Sequence, residues 1–552
     1  MLNSSRALSL VAVGSIPILF FGIFYLYPLA GIFIRSFFHD EHGFNLYNLF
    51  KIFQSPRILG VIWFTIWQAV LSTILTLIVA LPCSYVMGQF DFRFKRLIMT
   101  LATIPFVLPT VVVAASFQVI SYSIEDAILL LSDGSLISLF KSNNPILMVL
   151  FAHIFYNFSV VLRITSSFFS SIGKETTEAA QMLGADSLQI FFKVTLPLLK
   201  PAIFASAMLV FIFCFSSFGV ILILGGASIS TIEVEIYRQA AHLFNLPVAS
   251  SLSIFQIVFT FIMLFIYSNL QKKRAIFTPE SEKFSLKKPS SISHKILIFF
   301  CSLFIVCLCG IPMVALLIKS ISYKGSISLI FYQQLFLNSS GSIFYVSPVT
   351  AISNSLTFAF ITLLMSLFVA VSAASLIKDR GKLFEPIFML PLSTSAVTLG
   401  FGIIITLDKP PLNLRTSTLL IPIVHTLVAS PFVIRAILPA LRSIPQNLKE
   451  AASMLGASPF KVWLYVEMPI IARALSIGAI FAFTVSIGEF GASLFAARPE
   501  FTTMPVTIYK FLGQPGVMNY GQAMAMSSIL MLVTASGFLF IERIRQFGHE
   551  GF

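Results

Sequence analysis

A few ionisable side chains inside long apolar segments are the residues of this sequence most able to do chemistry. Glu489 lies in one such segment, and His153 and His425 lie in two others. Because a membrane interior makes polar side chains costly, each raises the hypothesis of a solute path. Glu489 either lines that path and meets a cation or a gate, or is solvated or paired near the outer end of its helix. The histidines either face a central pore or pack between helices.

The sequence has no nucleotide-binding signature. The phosphate-cradling pattern Gly-x4-Gly-Lys-Ser/Thr is absent, since Gly173-Lys174 is followed by Glu175 and Gly381-Lys382 by Leu383. We therefore predict a protein that is not an enzyme and has no cofactor. Transport driven by ATP would need a separate ATPase.

One motif occurs twice, at an offset of 272 residues. The copies read EAAQMLGADSLQIFFKVTLPLLK from Glu178 and EAASMLGASPFKVWLYVEMPIIA from Glu450. The same offset maps His153 onto His425 and Tyr237 onto Tyr509 without a gap, which indicates an internal duplication. It also makes Ser217 the equivalent of Glu489, so this carboxylate is present in one copy only. We count Ser217 with Glu489, His153 and His425 as a candidate for the solute path.

Each copy of the motif predicts a short helix, a turn and a second helix. Glu-Ala-Ala followed by Met-Leu favours a helix, and Gly184 or Gly456 suits the left-handed residue that ends one. Asp186 or Ser458 can cap the next helix. A proline then restricts the chain before the following apolar run.

The motif resembles the cytoplasmic loop of permease subunits in bacterial binding-protein-dependent ABC importers, EAA-x3-G-x9-(I/V)-x-L-P. The residues that carry the resemblance are Glu178, Ala179, Ala180, Gly184, Val194, Leu196 and Pro197, and Glu450, Ala451, Ala452, Gly456, Val466 and Pro469. Met468 departs from the pattern, which has leucine there. Two copies in one chain resemble the fused permeases of the ferric-iron and thiamine importers, and Gly488–Ala492 also resembles thiamine, molybdate and sulfate permeases.

The resemblance implies function and partners. Each loop would form a coupling helix in a cleft of an ATPase subunit, with its Glu and Gly carrying the contact, so two ATPase subunits are expected. An external binding protein would deliver a small solute, for which ferric iron or thiamine is the best expectation. Closure of the ATPases would pull the loops together and switch the pore from inward to outward access.

Composition predicts an all-α polytopic membrane protein. Hydrophobic residues make up 57% of the chain and charged residues 11%, with 59 phenylalanines. The net charge of +14 fits basic cytoplasmic loops, and nucleic acid is not an expected partner because no soluble domain or aromatic-interleaved basic patch is present. The five cysteines lie in apolar runs, so we predict buried thiols, with neither a disulfide framework nor a metal site.

About twelve apolar runs are long enough to cross a bilayer, six in each copy. The first run lacks a cleavage site and is expected to remain as a span. The predicted spans are 7–34, 59–89, 97–120, 145–170, 200–224 and 247–270, then 296–318, 349–377, 383–407, 416–440, 474–496 and 519–541.

The distribution of Lys and Arg predicts that both termini and both motif loops are cytoplasmic, in the cytoplasmic (inner) membrane. Six spans between the loops return them to one face, so the two six-helix repeats are predicted to be parallel. The predicted boundaries are 1–270 for the first repeat, 271–295 for a basic cytoplasmic linker and 296–552 for the second repeat. A secondary transporter driven by an ion gradient is the leading alternative, and a scaffolding membrane protein would leave the duplicated loops unexplained.

Overall fold

The computed structural model describes residues 14–39, 43–44, 47–131, 145–172, 174–275, 286–337, 347–408 and 412–546. These residues are almost entirely helical, which confirms the predicted all-α class. The strands are two short antiparallel hairpins, β1 Phe38–His39 with β2 Gly43–Phe44, and β3 Ser322–Tyr323 with β4 Ser326–Ile327.

The helices of the two halves follow one another in the same order. The first half has α1 Gly14–Phe37, α2 Tyr47–Gln54, α3 Pro56–Gln89, α4 Lys95–Val107, α5 Thr110–Leu131, α6 Pro145–Ser171, α7 Lys174–Met182, α8 Ser187–Ile190, α9 Leu196–Phe215, α10 Gly219–Leu224, α11 Ile232–Tyr237 and α12 Leu246–Ala275. The second half has α13 Ile292–Ser320, α14 Ile330–Gln334, α15 Pro348–Met389, α16 Ala396–Thr406, α17 Leu420–Arg442, α18 Gln446–Met454, α19 Pro459–Val462, α20 Met468–Gly488, α21 Gly491–Ala496, α22 Met504–Leu512 and α23 Val517–Gln546.

Within the described residues, ten helical stretches are long and apolar enough to span a membrane. The third predicted span of each half is instead a bent pair, with angles of 103° between α4 and α5 and 99° between Phe384–Ser393 and α16. In the first half Leu108 is extended because Pro109 follows it. In the second half the Ser395 hydroxyl accepts a hydrogen bond from the Thr398 N–H at 3.1 Å and starts a new helix. Counting each bent pair as one span gives the predicted twelve.

One polar connection predicted from sequence is helical instead. The basic stretch that contains Lys378 was expected to be a loop between spans, but α15 runs through it without a break. The Lys378 ammonium donates a hydrogen bond to the Leu441 carbonyl at the end of α17, 2.8 Å away. This contact satisfies a carbonyl at a helix end, where a cation is favourable.

The chain forms two compact units, each with a packed trio of long helices. One unit comprises Ser55–Glu235 and Val258–Lys319, and its trio is α3, α6 and α9. The other comprises Met1–Gln54, Ile236–Ile257 and Ser320–Phe552, and its trio is α15, α17 and α20. The trios are the second, fourth and fifth spans of each half. The equivalent helices of the two halves therefore pack together in the same combination.

The first span of each half belongs to the unit built mainly from the other half. In the unit that contains α1, the Tyr25 and Thr394 hydroxyls are 2.8 Å apart, and Gly402 of α16 lies against Ile32 and Pro28. A side chain at Gly402 would meet these residues, which is why glycine fits there. The two compact units therefore do not coincide with the two predicted sequence repeats, 1–270 and 296–552. The boundaries of those repeats stay a prediction.

Candidate functional site

The two motif loops have the same backbone geometry, element for element. Helices α7 and α18 both end in a six-residue turn closed by a bond from Ala185 N–H to the Ala180 carbonyl, and from Ala457 N–H to the Ala452 carbonyl, each 3.1 Å. The glycine of each turn is left-handed, with φ of +81° at Gly184 and +84° at Gly456. Both predicted glycine-terminated helices are therefore confirmed.

The second helix of each loop begins at the predicted capping residue. Asp186 Oδ1 accepts a hydrogen bond from the Gln189 N–H at 2.6 Å, and Ser458 Oγ accepts one from the Lys461 N–H at 3.4 Å. Both caps satisfy an N–H that the helix leaves free.

The prolines do not interrupt the chain as the sequence suggested. One turn of π-helix, Phe191–Thr195 in the first loop and Trp463–Glu467 in the second, joins each short helix directly to the long helix that follows. We call these segments the π-turns. Pro197 and Pro469 are the second residues of these long helices. Because proline has no N–H to donate, the wider turn just before it accommodates the missing bond without breaking the helix.

The first helix of each loop exposes most of its motif residues to solvent. Glu178 and Ala179 are exposed, as are Glu450 and Ala451, whereas Ala180 and Ala452 are half-buried. The exposed fractions are 91% for Met182 and 88% for Leu183, and 89% for Met454 and 90% for Leu455. Apolar side chains presented this fully at matching positions are typical of a protein contact surface.

One feature distinguishes the second loop. Lys449 of α18 forms an ion pair with Glu467 in the following π-turn, and the two side chains are only 20% and 13% exposed. The positions at the same offset in the first loop are Thr177 and Thr195, which cannot form an ion pair. A partly shielded ion pair of this kind stabilises the position of α18 against the segment Trp463–Glu467.

His153 is buried and bonded at both ring nitrogens. Its Nδ1 lies 3.0 Å from the Ser72 hydroxyl and its Nε2 lies 2.9 Å from the Ser217 hydroxyl. The imidazole therefore links α6 to α3 and to the turn that follows α9.

His425 has the same kind of environment in the other compact unit. Its Nδ1 lies 2.8 Å from the Ser486 hydroxyl on α20, and its Nε2 lies 2.8 Å from the Ser493 hydroxyl on α21. The ring thus holds together two helices across the break between them. For both histidines this geometry favours the packing interpretation over the pore-facing one. Of the serine partners the sequence marked only Ser217, as a solute-path candidate and not as a partner of His153. The pairings could not be predicted, because the serines come from other elements of the fold.

Glu489 lies in the break between α20 and α21, not inside a helix as expected. Its Oε1 accepts a hydrogen bond from the Ala492 N–H at 3.1 Å, and the N–H groups of Phe490 and Gly491 also face the carboxylate. The side chain therefore caps the start of α21. Ser217 lies in the equivalent break of the first half, where its carbonyl accepts a hydrogen bond from the Thr231 hydroxyl at 3.2 Å.

All five cysteines are free thiols, and four of them are buried as predicted, whereas Cys307 is half-buried. Across the described ranges, no cluster of three or more His, Cys, Asp or Glu side chains is arranged to hold a metal ion.

The fold and the loops define the class, a two-repeat helical membrane permease. The chain belongs to the family of binding-protein-dependent transport system inner membrane components, which it matches over residues 80–276 and again over 366–546. It is 24% identical to the thiamine transport system permease protein ThiP of Haemophilus influenzae over 534 residues, covering 94% of this chain and 96% of that relative. It is 25% identical to ThiP of Brucella abortus over 463 residues, covering 82% of this chain and 81% of the relative.

A shorter relative matches part of the chain. The putative 2-aminoethylphosphonate transport system permease protein PhnV of Salmonella typhimurium is 27% identical over 198 residues, covering 35% of this chain and 74% of that protein.

Membership of this family confirms the resemblance drawn from the loops. The chain is the permease subunit of an ATP-driven importer, and ATP is hydrolysed by separate subunits. It is a multi-pass inner-membrane protein whose family works with an ATPase and an external binding protein. Import driven by ATP takes the place of the ion-gradient alternative.

Proposed function

We propose that this chain passes thiamine, delivered by an external binding protein, into the cytoplasm, and that two ATPase subunits drive it by gripping one motif loop each. The observation that supports the coupling is the matching backbone geometry of the two loops. Gly184 and Gly456 end their helices in the same conformation, and each loop presents a solvent-exposed Met-Leu pair at the end of its first helix. Two matching surfaces on one chain suit two copies of one partner.

Glu178 and Glu450 supply the polar part of the proposed contact. Both are exposed and precede the apolar pair on the same short helix. A carboxylate there can pair with an arginine of the partner, while the methionine and leucine fill an apolar cleft. Ala179 and Ala451 leave the helix surface smooth enough for close approach.

Two observations support thiamine as the proposed substrate. The relatives named for thiamine transport align with up to 94% of this chain, whereas the phosphonate relative aligns with 35%. Glu489, present in one repeat only, is a carboxylate at the break of a spanning helix and would favour a cation. Ferric iron would suit the same carboxylate only without an anionic chelator.

Uptake by the complete transporter tests this function. We expect vesicles that hold the chain, its ATPase and its binding protein to accumulate labelled thiamine only when ATP is supplied. Ferric iron, sulfate, molybdate and 2-aminoethylphosphonate should not compete. Thiamine uptake driven by an ion gradient without ATP, or saturable uptake of one of these competitors instead, would contradict the proposal.

We further propose that both loops and both termini are cytoplasmic. Between the loops lie five continuous spans and the bent pair that ends in α16, so the loops share a face only if that pair crosses the membrane. Cysteines replacing Leu188 and Phe460, which are 70% and 66% exposed at equivalent positions, should react with a membrane-impermeant maleimide from the cytoplasmic side only.

A cysteine replacing Ser326, exposed in the second hairpin, should react from outside only. The unmodified chain is the control, since most of its own cysteines are buried. Labelling of positions 188 and 460 from opposite faces would show that the bent pair is re-entrant and that the repeats are not parallel.

A further inference from the structure

An aromatic cluster forms around one short helix, α21, and includes two tyrosines related by the duplication. Tyr237 packs edge-on against Phe495, with ring centroids 5.4 Å apart and an interplanar angle of 82°. Tyr509 packs against Phe490, with centroids 5.5 Å apart. We call Tyr237, Phe490, Phe495 and Tyr509 the axial aromatic cluster.

The duplication indicates where this cluster lies. An axis that relates two repeats brings equivalent residues together only close to itself, because their separation grows with distance from the axis. Tyr237 and Tyr509 are equivalent at the 272-residue offset and both pack beside α21. If the repeats are parallel as proposed, this axis runs along the membrane normal, and the tyrosines would then border the proposed solute path. The compact unit that contains Tyr509 also takes in Ile236–Ile257 from the first half.

The depth of the cluster follows from the chain order. Tyr237 lies between α9 and α12, and Tyr509 lies between α20 and α23. The loops that precede α9 and α20 are the proposed cytoplasmic loops, so these connections lie toward the outer face. A solute released by an external binding protein would meet the cluster early in its passage.

The chemistry of the cluster suits a flat cation. Phe490 is 2% exposed and Tyr237 9% exposed, whereas Tyr509 and Phe495 keep part of their surface open. Aromatic faces attract cations that lie within about 6 Å of the ring centre. Glu489, next to Phe490, adds a negative charge at the same turn, although its carboxylate also caps α21. The basic residue that follows the second tyrosine, Lys510, is exposed.

From this geometry we infer that the axial aromatic cluster is a selectivity site for planar aromatic cations, with the partly exposed rings of Tyr509 and Phe495 contacting the solute. The inference rests on the proposed import of thiamine, which carries such a ring. It assigns recognition of the solute to Tyr509, which the sequence marked only as part of the repeat, and to Phe495, which the sequence did not mark. Glu489 contributes a negative charge at this turn and also caps the helix that carries Phe495.

Graded fluorination of one ring tests the site. In the complete transporter with ATPase and binding protein, Tyr509 is replaced by Phe and then by mono-, di- and trifluorophenylalanine, which keep the shape and progressively weaken the negative ring face. We expect Phe to support uptake, and KM for thiamine to rise stepwise with fluorination, by about two- to thirty-fold across the series. Tyr509→Leu should give a similar rise.

A control removes a ring contact away from the cluster. Phe432 packs against Phe481 with centroids 5.2 Å apart, and Phe432→Leu should leave the KM for thiamine unchanged. A KM that is independent of fluorination, with Tyr509→Leu impaired, would mean that the ring is only a steric gate, and the inference would be wrong.

The outcome separates this inference from the proposed function. If the unmodified transporter moves another solute and not thiamine, the proposed function fails, and the fluorination series is repeated with that solute. If that solute is an aromatic cation and its KM rises stepwise with fluorination at position 509, the selectivity site is supported. Transport of an anion, or of the non-aromatic cation choline with equal efficiency, would overturn it.

Discussion

Replacing both loop glycines by valine is expected to abolish ATP-driven uptake by detaching the ATPase. Gly184 and Gly456 have φ near +81° and +84°, a conformation that costs an L-residue about 1–2 kcal/mol and a β-branched one more. A Cβ at either position would meet no atom within 4 Å, so the strain comes from the backbone and not from a clash. The two loops together would lose about 3 kcal/mol, or about 100-fold in assembly. Co-purification of the ATPase and uptake by vesicles measure the effect.

Asparagine provides the matched control, because it tolerates the left-handed conformation. The Gly184→Asn and Gly456→Asn double variant should keep most of the complex, although the asparagine side chain has one more non-hydrogen atom than that of valine. A second pair, Met182→Glu with Met454→Glu, keeps the turn and places charges on the exposed apolar pair, and it should also release the ATPase. Full complex formation and full uptake in the double valine variant would exclude these loops as the coupling elements.

Replacing Glu489 by glutamine is expected to slow thiamine uptake about tenfold while leaving membrane insertion and ATPase binding normal. Glutamine keeps an oxygen that can accept the Ala492 N–H, so the cap of α21 is retained and only the charge is lost. Interactions with a charged group contribute about 1.5–3 kcal/mol, which sets the size of the effect. Initial uptake rates over a range of thiamine concentrations give the measurement.

Two further variants separate charge from capping. Glu489→Ala removes the cap as well, at a cost of about 1 kcal/mol, and should lower the thermal stability in addition to the rate. Glu500→Gln neutralises an exposed carboxylate of the same unit and should behave like the unmodified chain. Uptake by Glu489→Gln at the unmodified rate, with only Glu489→Ala impaired, would leave this residue a capping role alone.

The main local features of the two motif loops could be predicted from the sequence. The glycine that ends each helix and the Asp186 or Ser458 cap depend on residues within one turn of each other, so a single motif predicts them. The exposed Met-Leu pairs could have been predicted too, since both motif copies contain them next to the glycine. The π-turns before Pro197 and Pro469 could not, because proline can also end a helix.

By itself the sequence determined the membrane class, the duplication and the local structure of the two motif loops, because span length is imposed by bilayer thickness and the turns are local. Only the tertiary structure decided which helices meet. It gave His153 and His425 their serine partners, placed α1 against α16, and set Glu489 at a helix break with its carboxylate on backbone N–H groups. In a chain this apolar, almost every helix face is hydrophobic, so periodicity does not say which face packs against which neighbour. Those pairings depend on the fit of particular small and polar side chains from distant parts of the chain.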